Sequence, residues 1–212
     1  MIATRRSMRR LAVGVLAIFG ASAVQAASIS FYLDQSNTEA SWPDGTNYLQ
    51  VTIFDSITNP GDIEFLITPL PTLTASAGAN FGIQSFGFNS AHALTATNIV
   101  APAGWSIGSG NQDGFGAYAV TESGNGSNRQ NPLAFRITGI SGDVVTDYAL
   151  AGAGGAQGAY YFAAHVAGMT DVNGATSAYF GGNAVVPVPA AAWLFGSALG
   201  FAGFLRRTAS AA

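Results

Sequence analysis

Residues 49–67 read LQVTIFDSITNPGDIEFLI. Leu49, Val51 and Ile53 alternate with Gln50 and Thr52. After Asn59-Pro60-Gly61, Ile63, Phe65 and Ile67 alternate with Glu64 and Leu66. A period of two sends successive side chains to opposite faces of a strand, and Asn-Pro-Gly is turn chemistry. The stretch therefore predicts an antiparallel hairpin with one apolar face. Pro69 and Pro71 end its second strand, because proline has no N–H to give to a ladder.

The same reading extends outward. Upstream, Ile29, Phe31 and Leu33 alternate with Ser30 and Tyr32. Downstream, strands are predicted at 84–89, 94–100, 115–121, 133–138, 144–150 and 160–167. Gly/Ala/Asn/Ser clusters at 77–80, 108–111, 124–127 and 151–155 predict the turns between them. No segment between residues 28 and 185 holds a helical period. Short strands separated by such turns predict an all-β sandwich or jelly roll. The Gly/Ala-rich stretch 142–158 is expected to be a mobile flap, and 176–186 an edge strand followed by a linker.

Both ends of the chain differ from this middle. Arg5, Arg6, Arg9 and Arg10 precede the apolar run 11–20, and Val24 and Ala26 place small side chains at −3 and −1. This is a secretory signal peptide over 1–26, cut between Ala26 and Ala27. At the other end, 190–205 is mostly apolar and is followed by Arg206 and Arg207. As a helix it would be about 24 Å long at ~1.5 Å per residue, against a hydrocarbon core of about 30 Å. A buried helix also fits that length. The terminal position, the preceding Pro187-Val188-Pro189 and the arginine pair favour a single transmembrane helix with a cytoplasmic stop. The organisation expected is signal peptide 1–26, exported domain 27–180, linker 181–189, membrane helix 190–207 and tail 208–212.

Charge supports this topology. The chain has no Lys and eight Arg, of which only Arg129 and Arg136 lie between the two ends. Those two arginines face eleven acids spread from Asp34 to Asp171, a formal −9 for the exported part. Such a domain will not bind nucleic acid through phosphates. With no Cys there is neither a disulfide nor thiol chemistry.

Candidate sites inside the domain are sparse. His165 is expected to be structural, held between sheet and loop, and His92 to lie solvated in a turn. Two histidines without cysteine do not build a zinc site. The carboxylate pairs Asp62/Glu64, Asp143/Asp147 and Asp113/Glu122 are candidates for the near neighbours that glycoside hydrolysis needs, and carboxylates close in sequence on a β-rich chain usually face solvent. The stretches 111–114 and 171–174 offer hard oxygen ligands for Ca²⁺, and they equally suit plain turns built from Asp, Asn and Gly. Trp42, Trp105, Tyr118, Tyr161 and Tyr179 are candidates for stacking on sugar rings. No residue is assigned a catalytic or metal-binding role, and no cofactor is expected beyond that Ca²⁺ option.

The C-terminal segment carries a family resemblance. Val186, Pro187, Val188, Pro189, Ala190, Ala191, Trp193, Leu194, Gly196, Ser197, Leu199, Gly203, Arg206 and Arg207 follow an ordered pattern. It resembles the PEP-CTERM sorting signal of Gram-negative bacteria in its V-P-x-P-A variant. Val188 stands where Leu is usual in that variant. The resemblance implies an exosortase-type membrane enzyme that processes the chain near the Pro motif. It further implies export through the secretion machinery, transient holding in the inner membrane, and a destination at the cell surface or in an exopolysaccharide matrix. The stretches 86–89, 102–105, 113–116 and 162–168 are similar in order to those of other proteins with such tails, which implies a shared sandwich and no activity. The expectation is thus a non-enzymatic exported surface protein. A carbohydrate- or calcium-binding adhesion module and a secreted glycan hydrolase are the alternatives.

Overall fold

The computed structural model describes residues 26–186. The expected leader with Val24, and the expected sorting residues from Pro187 through Pro189, Ala190, Ala191, Trp193, Gly196 and Ser197 to Arg206 and Arg207, lie outside them. Among the described residues no helix is long and apolar enough to cross a membrane.

The described strands are, in chain order, β1 (Ser28–Leu33), β2 (Gln35–Ser36), β3 (Leu49–Asp55), β4 (Ile63–Pro69), β5 (Ala77–Phe88), β6 (Ile99–Val100), β7 (Ser106–Gln112), β8 (Gly116–Ser123), β9 (Leu133–Ile137), β10 (Phe162–Val172), β11 (Ala175–Gly182) and β12 (Ala184–Val185). They form two antiparallel sheets, ordered β12-β1-β3-β4-β9-β6 and β2-β11-β10-β5-β8-β7. The chain crosses between sheets repeatedly, once through the single-turn helix Pro71–Thr74. This is the all-β sandwich that the alternation predicted.

The 49–67 hairpin forms in the predicted register, with Val51 opposite Ile67 and Ile53 opposite Phe65. Its inward face is fully buried: Val51, Ile53 and Ile67 have no exposed surface. Phe65 stacks on its cross-strand partner Phe135 at 4.5 Å and 14°. Across the core it meets Phe88 of β5 at 5.0 Å and the edge of Tyr148 at 5.7 Å. Phe86 of β5 in turn stacks on Phe162 of β10 at 5.9 Å. Aromatic rings supply large buried area with specific geometry, so this cluster ties the two sheets together.

Several expected elements differ. The segment predicted as a strand at 144–150 is a 3₁₀ turn, Val145–Tyr148. Its two buried residues, Val145 and Tyr148, stand three apart, which matches a helical turn and not a strand. The segment 94–100 is a strand only at Ile99–Val100. Before it, Thr95 and Asn98 close a capping box around Ala96–Asn98. The turn expected at 77–80 is the start of β5, and the one at 108–111 lies within β7. Sheet structure also continues past the expected domain limit at 180. β11 runs to Gly182, β12 pairs with β1, and the Val186 N–H donates to the Ser30 carbonyl at 2.9 Å.

Candidate functional site

The outer face of the second sheet carries an open groove of about 360 Å³. Its floor comes from β5, β8, β10 and β11, and β7 forms one wall. On β10, Phe162, Ala164 and Val166 turn into the core, so His165 turns outward. Tyr179 is its direct cross-strand partner on β11. The two rings lie almost parallel, 4.4 Å apart at 14°. Beside them, Ser85 Oγ donates to Gln112 Oε1 at 2.9 Å, and Thr121 and Ser123 project from β8. The lining contains no carboxylate.

A kink in β8 shapes one end of the groove. The ladder passes from Gly108↔Thr121 to Gly110↔Tyr118, so β8 has one residue more than β7 at this point. That bulge turns Tyr118 to the outer face. There it packs with Phe115, Ala163, Tyr160 and Tyr179 in a small apolar cluster separate from the main core. Gly181 makes room for this cluster: a Cβ at that position would stand 2.4 Å from the Phe115 ring. The latter part of the stretch 142–158, expected to be a mobile flap, is instead stitched onto this face from residue 152 on. Gln157 N–H donates to Gly114 O at 2.8 Å, Gly152 N–H to Tyr160 O at 2.9 Å, and Ala153 N–H to Ala117 O at 3.3 Å.

The electrostatics of the groove are mild. Burial lowers the His165 pKa, and the charge of Arg129 lowers it further, so the imidazole is neutral near pH 7. Burial raises the Tyr179 pKa, assisted by the Asp113 charge. Arg129 itself is held at the rim, donating from Nε to Gln84 Oε1 and from Nη1 to the Asn80 carbonyl, each at 2.9 Å. The groove can therefore offer a flat ring surface and neutral donors and acceptors.

The other sequence candidates are dispersed. Of the five aromatics considered for sugar stacking, only Tyr179 lines the groove. Trp42 is a core residue, 4 % exposed, with its edge against Tyr48 and Phe180. Tyr118 is buried, Trp105 is pinned through Nε1 to the Asn128 carbonyl, and Tyr161 stands edge-on to Phe31. His92 is not free in solvent. Its Nε2 pairs with Asp147 Oδ2 at 2.9 Å, and that bond, with the Val144 N–H, holds the Asp147 pKa low.

None of the three carboxylate pairs lines the groove; Asp62 and Asp143, members of two different pairs, line a second cleft with Asp55. Asp62 pairs with Arg136 Nε at 3.2 Å, Glu64 accepts from Ser56, and Asp143 accepts from Tyr148. Asp113 sits in the β7–β8 hairpin turn and accepts from Asn37 Nδ2 at 2.8 Å. Its supposed companion Glu122 faces the opposite way. It is cross-strand from the core residue Phe86, wholly buried, with neither carboxylate oxygen hydrogen-bonded. Burial pushes its pKa up to about 8.

Both stretches weighed for Ca²⁺ are hairpin turns. Val172 and Ala175 pair across Asn173-Gly174, whose φ values of 49° and 87° suit a two-residue type I′ turn. Among the described residues no group of three or more His, Cys, Asp or Glu side chains gathers as it would around an ion.

Sequence reasoning missed Ser85, Gln112 and Thr121 as groove residues, and Glu122 as a core residue. The Glu122 signal was present, since Val120 and Glu122 alternate with Thr121 and Ser123. The groove had no linear signal, because its residues come from five strands. Compared with protein-family models, with curated proteins and with solved structures, the chain matches none.

Proposed function

We propose that this is an exported surface or matrix protein that acts by binding and not by catalysis, with the groove on the second sheet as its ligand face. The ligand class that suits the groove is a neutral glycan. A sugar presents an apolar ring face and a rim of hydroxyls. An outer face of the stacked His165–Tyr179 pair would supply the matching flat surface, and Ser85, Ser109, Asn111, Gln112 and Thr121 the matching polar rim. The observation that carries the reading is this combination in a cleft without a carboxylate. Glycoside hydrolysis by the usual route needs two carboxyl groups about 5 to 10 Å apart across the bond to be cut.

The route to the surface completes the proposal. Residues 1–26 direct export, 190–207 hold the chain briefly in the inner membrane, and an exosortase-type enzyme processes it near Pro187-Val188-Pro189. The basis is the order of parts in the C-terminal sequence.

Retention of the exported protein on immobilised polysaccharide tests the ligand face. Tyr179→Ala and His165→Ala, each with an unchanged unfolding midpoint, should weaken retention roughly tenfold, the equivalent of about 1.4 kcal/mol of lost ring contact. Equal retention by wild type and both variants refutes the groove. Intact mass tests the route. The exported wild type should start at Ala27 and lack its tail, and a Pro187→Ala, Pro189→Ala variant should keep it. An intact wild-type tail in a host with an exosortase refutes the sorting reading.

A further inference from the structure

The start of β1 is joined to the end of β3 by two bonds of different kinds. The Asp55 N–H donates to the Ala27 carbonyl at 3.0 Å, which is ordinary ladder pairing. The Ala27 N–H does not continue the ladder and donates to the Asp55 side chain, Oδ2, at 2.8 Å. Ala27 is the residue that the leader cleavage would leave first. Its neighbour Ala26 lines a cleft shared with Asp55, Asp62 and Asp143. In the uncut chain the nitrogen facing Asp55 is a neutral amide with one hydrogen.

We propose that cleavage between Ala26 and Ala27 makes Asp55 the seat of the new N-terminus, turning a neutral hydrogen bond into an ion pair that clamps β1 to β3. This rests on the export reading above. The chemistry is hydrolysis: water gives its oxygen to the Ala26 carbonyl carbon, the C–N bond breaks, and the Ala27 nitrogen leaves as an amine that takes up protons as an ammonium. The ammonium keeps the bond to Asp55 and gains a full charge, and charge-assisted hydrogen bonds are about twice as strong as neutral ones. Loss of Ala26 also removes a group that lines the cleft. The charged groups around it are then Asp55, Asp62 with its partner Arg136, and Asp143 with its donor Tyr148. A new cation suits this setting, and an uncut chain lacks one there. Processing thereby becomes a step that reinforces the fold. An opposite charge holds the amine protonated, so the stabilisation is complete below the ordinary amine pKa and fades as pH rises through the raised one.

The absence of lysine makes the test clean, since the α-amine is the only aliphatic primary amine in the processed chain. Reductive methylation with ¹³C-formaldehyde labels that nitrogen alone, and its ¹³C shift reports its titration. The exported protein is first checked by intact mass. A first residue other than Ala27 overturns the proposal at the cut site. With Ala27 first, the wild-type amine should titrate at least about 0.5 unit above that of Asp55→Asn, because a nearby carboxylate favours the charged form. Should Asp55→Asn fail to fold, wild type in 1 M salt replaces it, since the Debye length there falls to about 3 Å and the elevation should shrink. An amine that titrates alike in wild type and variant, or alike at low and high salt, overturns the ion pair while leaving export intact.

Discussion

Glu122 offers the sharpest physical test of the fold. Its carboxyl is buried in the core face of β8 between the ladder partners Phe86 and Ile107, with both oxygens unpartnered. Burial raises its pKa to about 8, whereas an unfolded chain would ionise it near 4.5. Between those values the unfolded state has lost the proton and the folded state retains it. Each pH unit in that window therefore costs about 1.4 kcal/mol of stability. From pH 4.5 to pH 7 the wild type should lose roughly 3 kcal/mol from this group, and by pH 8.5 about 4 kcal/mol in all, after which the loss levels off. Against the usual ~5–15 kcal/mol of a domain this is a large share. Glu122→Gln has nearly the same shape and cannot ionise. It should match the wild type near pH 4.5 and exceed it increasingly up to pH 8.5. Glu122→Leu should do better at every pH, because it removes an unsatisfied polar group from the core. Urea unfolding of all three chains across pH 4.5 to 9, followed by near-ultraviolet circular dichroism, reads this directly. His165, whose lowered pKa costs stability on the acid side, is common to all three and cancels in the differences. A gap between wild type and Glu122→Gln that stays flat with pH would show that the carboxyl is solvated, and the reasoning would fail.

Two further outcomes follow from packing. Phe65→Ala removes the ring that joins Phe135, Phe88 and Tyr148, and should cost about 3–5 kcal/mol in urea unfolding, with no pH dependence; a cost below ~1 kcal/mol would mean that the sheets are held elsewhere. Gly181→Ala sets a methyl 2.4 Å from the Phe115 ring on the outer face, so it should cost about 1–3 kcal/mol and disturb the groove without touching the main core; an unchanged midpoint would show that the aromatic cluster yields freely.

What the sequence disclosed, and what it hid, follows from how far each signal reaches along the chain. The 49–67 hairpin was legible because its alternation is regular, its turn is explicit, and one face is wholly core. β7 was not, because Ser106–Gln112 has no apolar alternation to show: it is an edge strand, paired with β8 by backbone bonds and by Ser106 Oγ donating to the Ser123 carbonyl at 3.3 Å. Val145 and Tyr148 sit in a run that looks extended, yet they meet the core at a spacing of three because Tyr148 must reach Phe65 from a turn. The turn at 77–80 failed for a similar reason. Gly78 is there to let β10 approach, and a Cβ would stand 2.9 Å from the Gly168 carbonyl. The groove was hidden altogether, since Ser85, Gln112, Thr121, His165 and Tyr179 gain their common face only when five strands take their places.

That arrangement also bears on the proposed ligand face. β12 runs antiparallel to β1, and the Val186 N–H is bonded to the Ser30 carbonyl. The described chain thus has Ala27 and Val186 at the same end of the same sheet. The groove lies on the other sheet, with β10 and β11 at its floor, and its walls contain no residue from the terminal strands β1 and β12. The proposed ligand face and the two described chain ends therefore lie on different sheets.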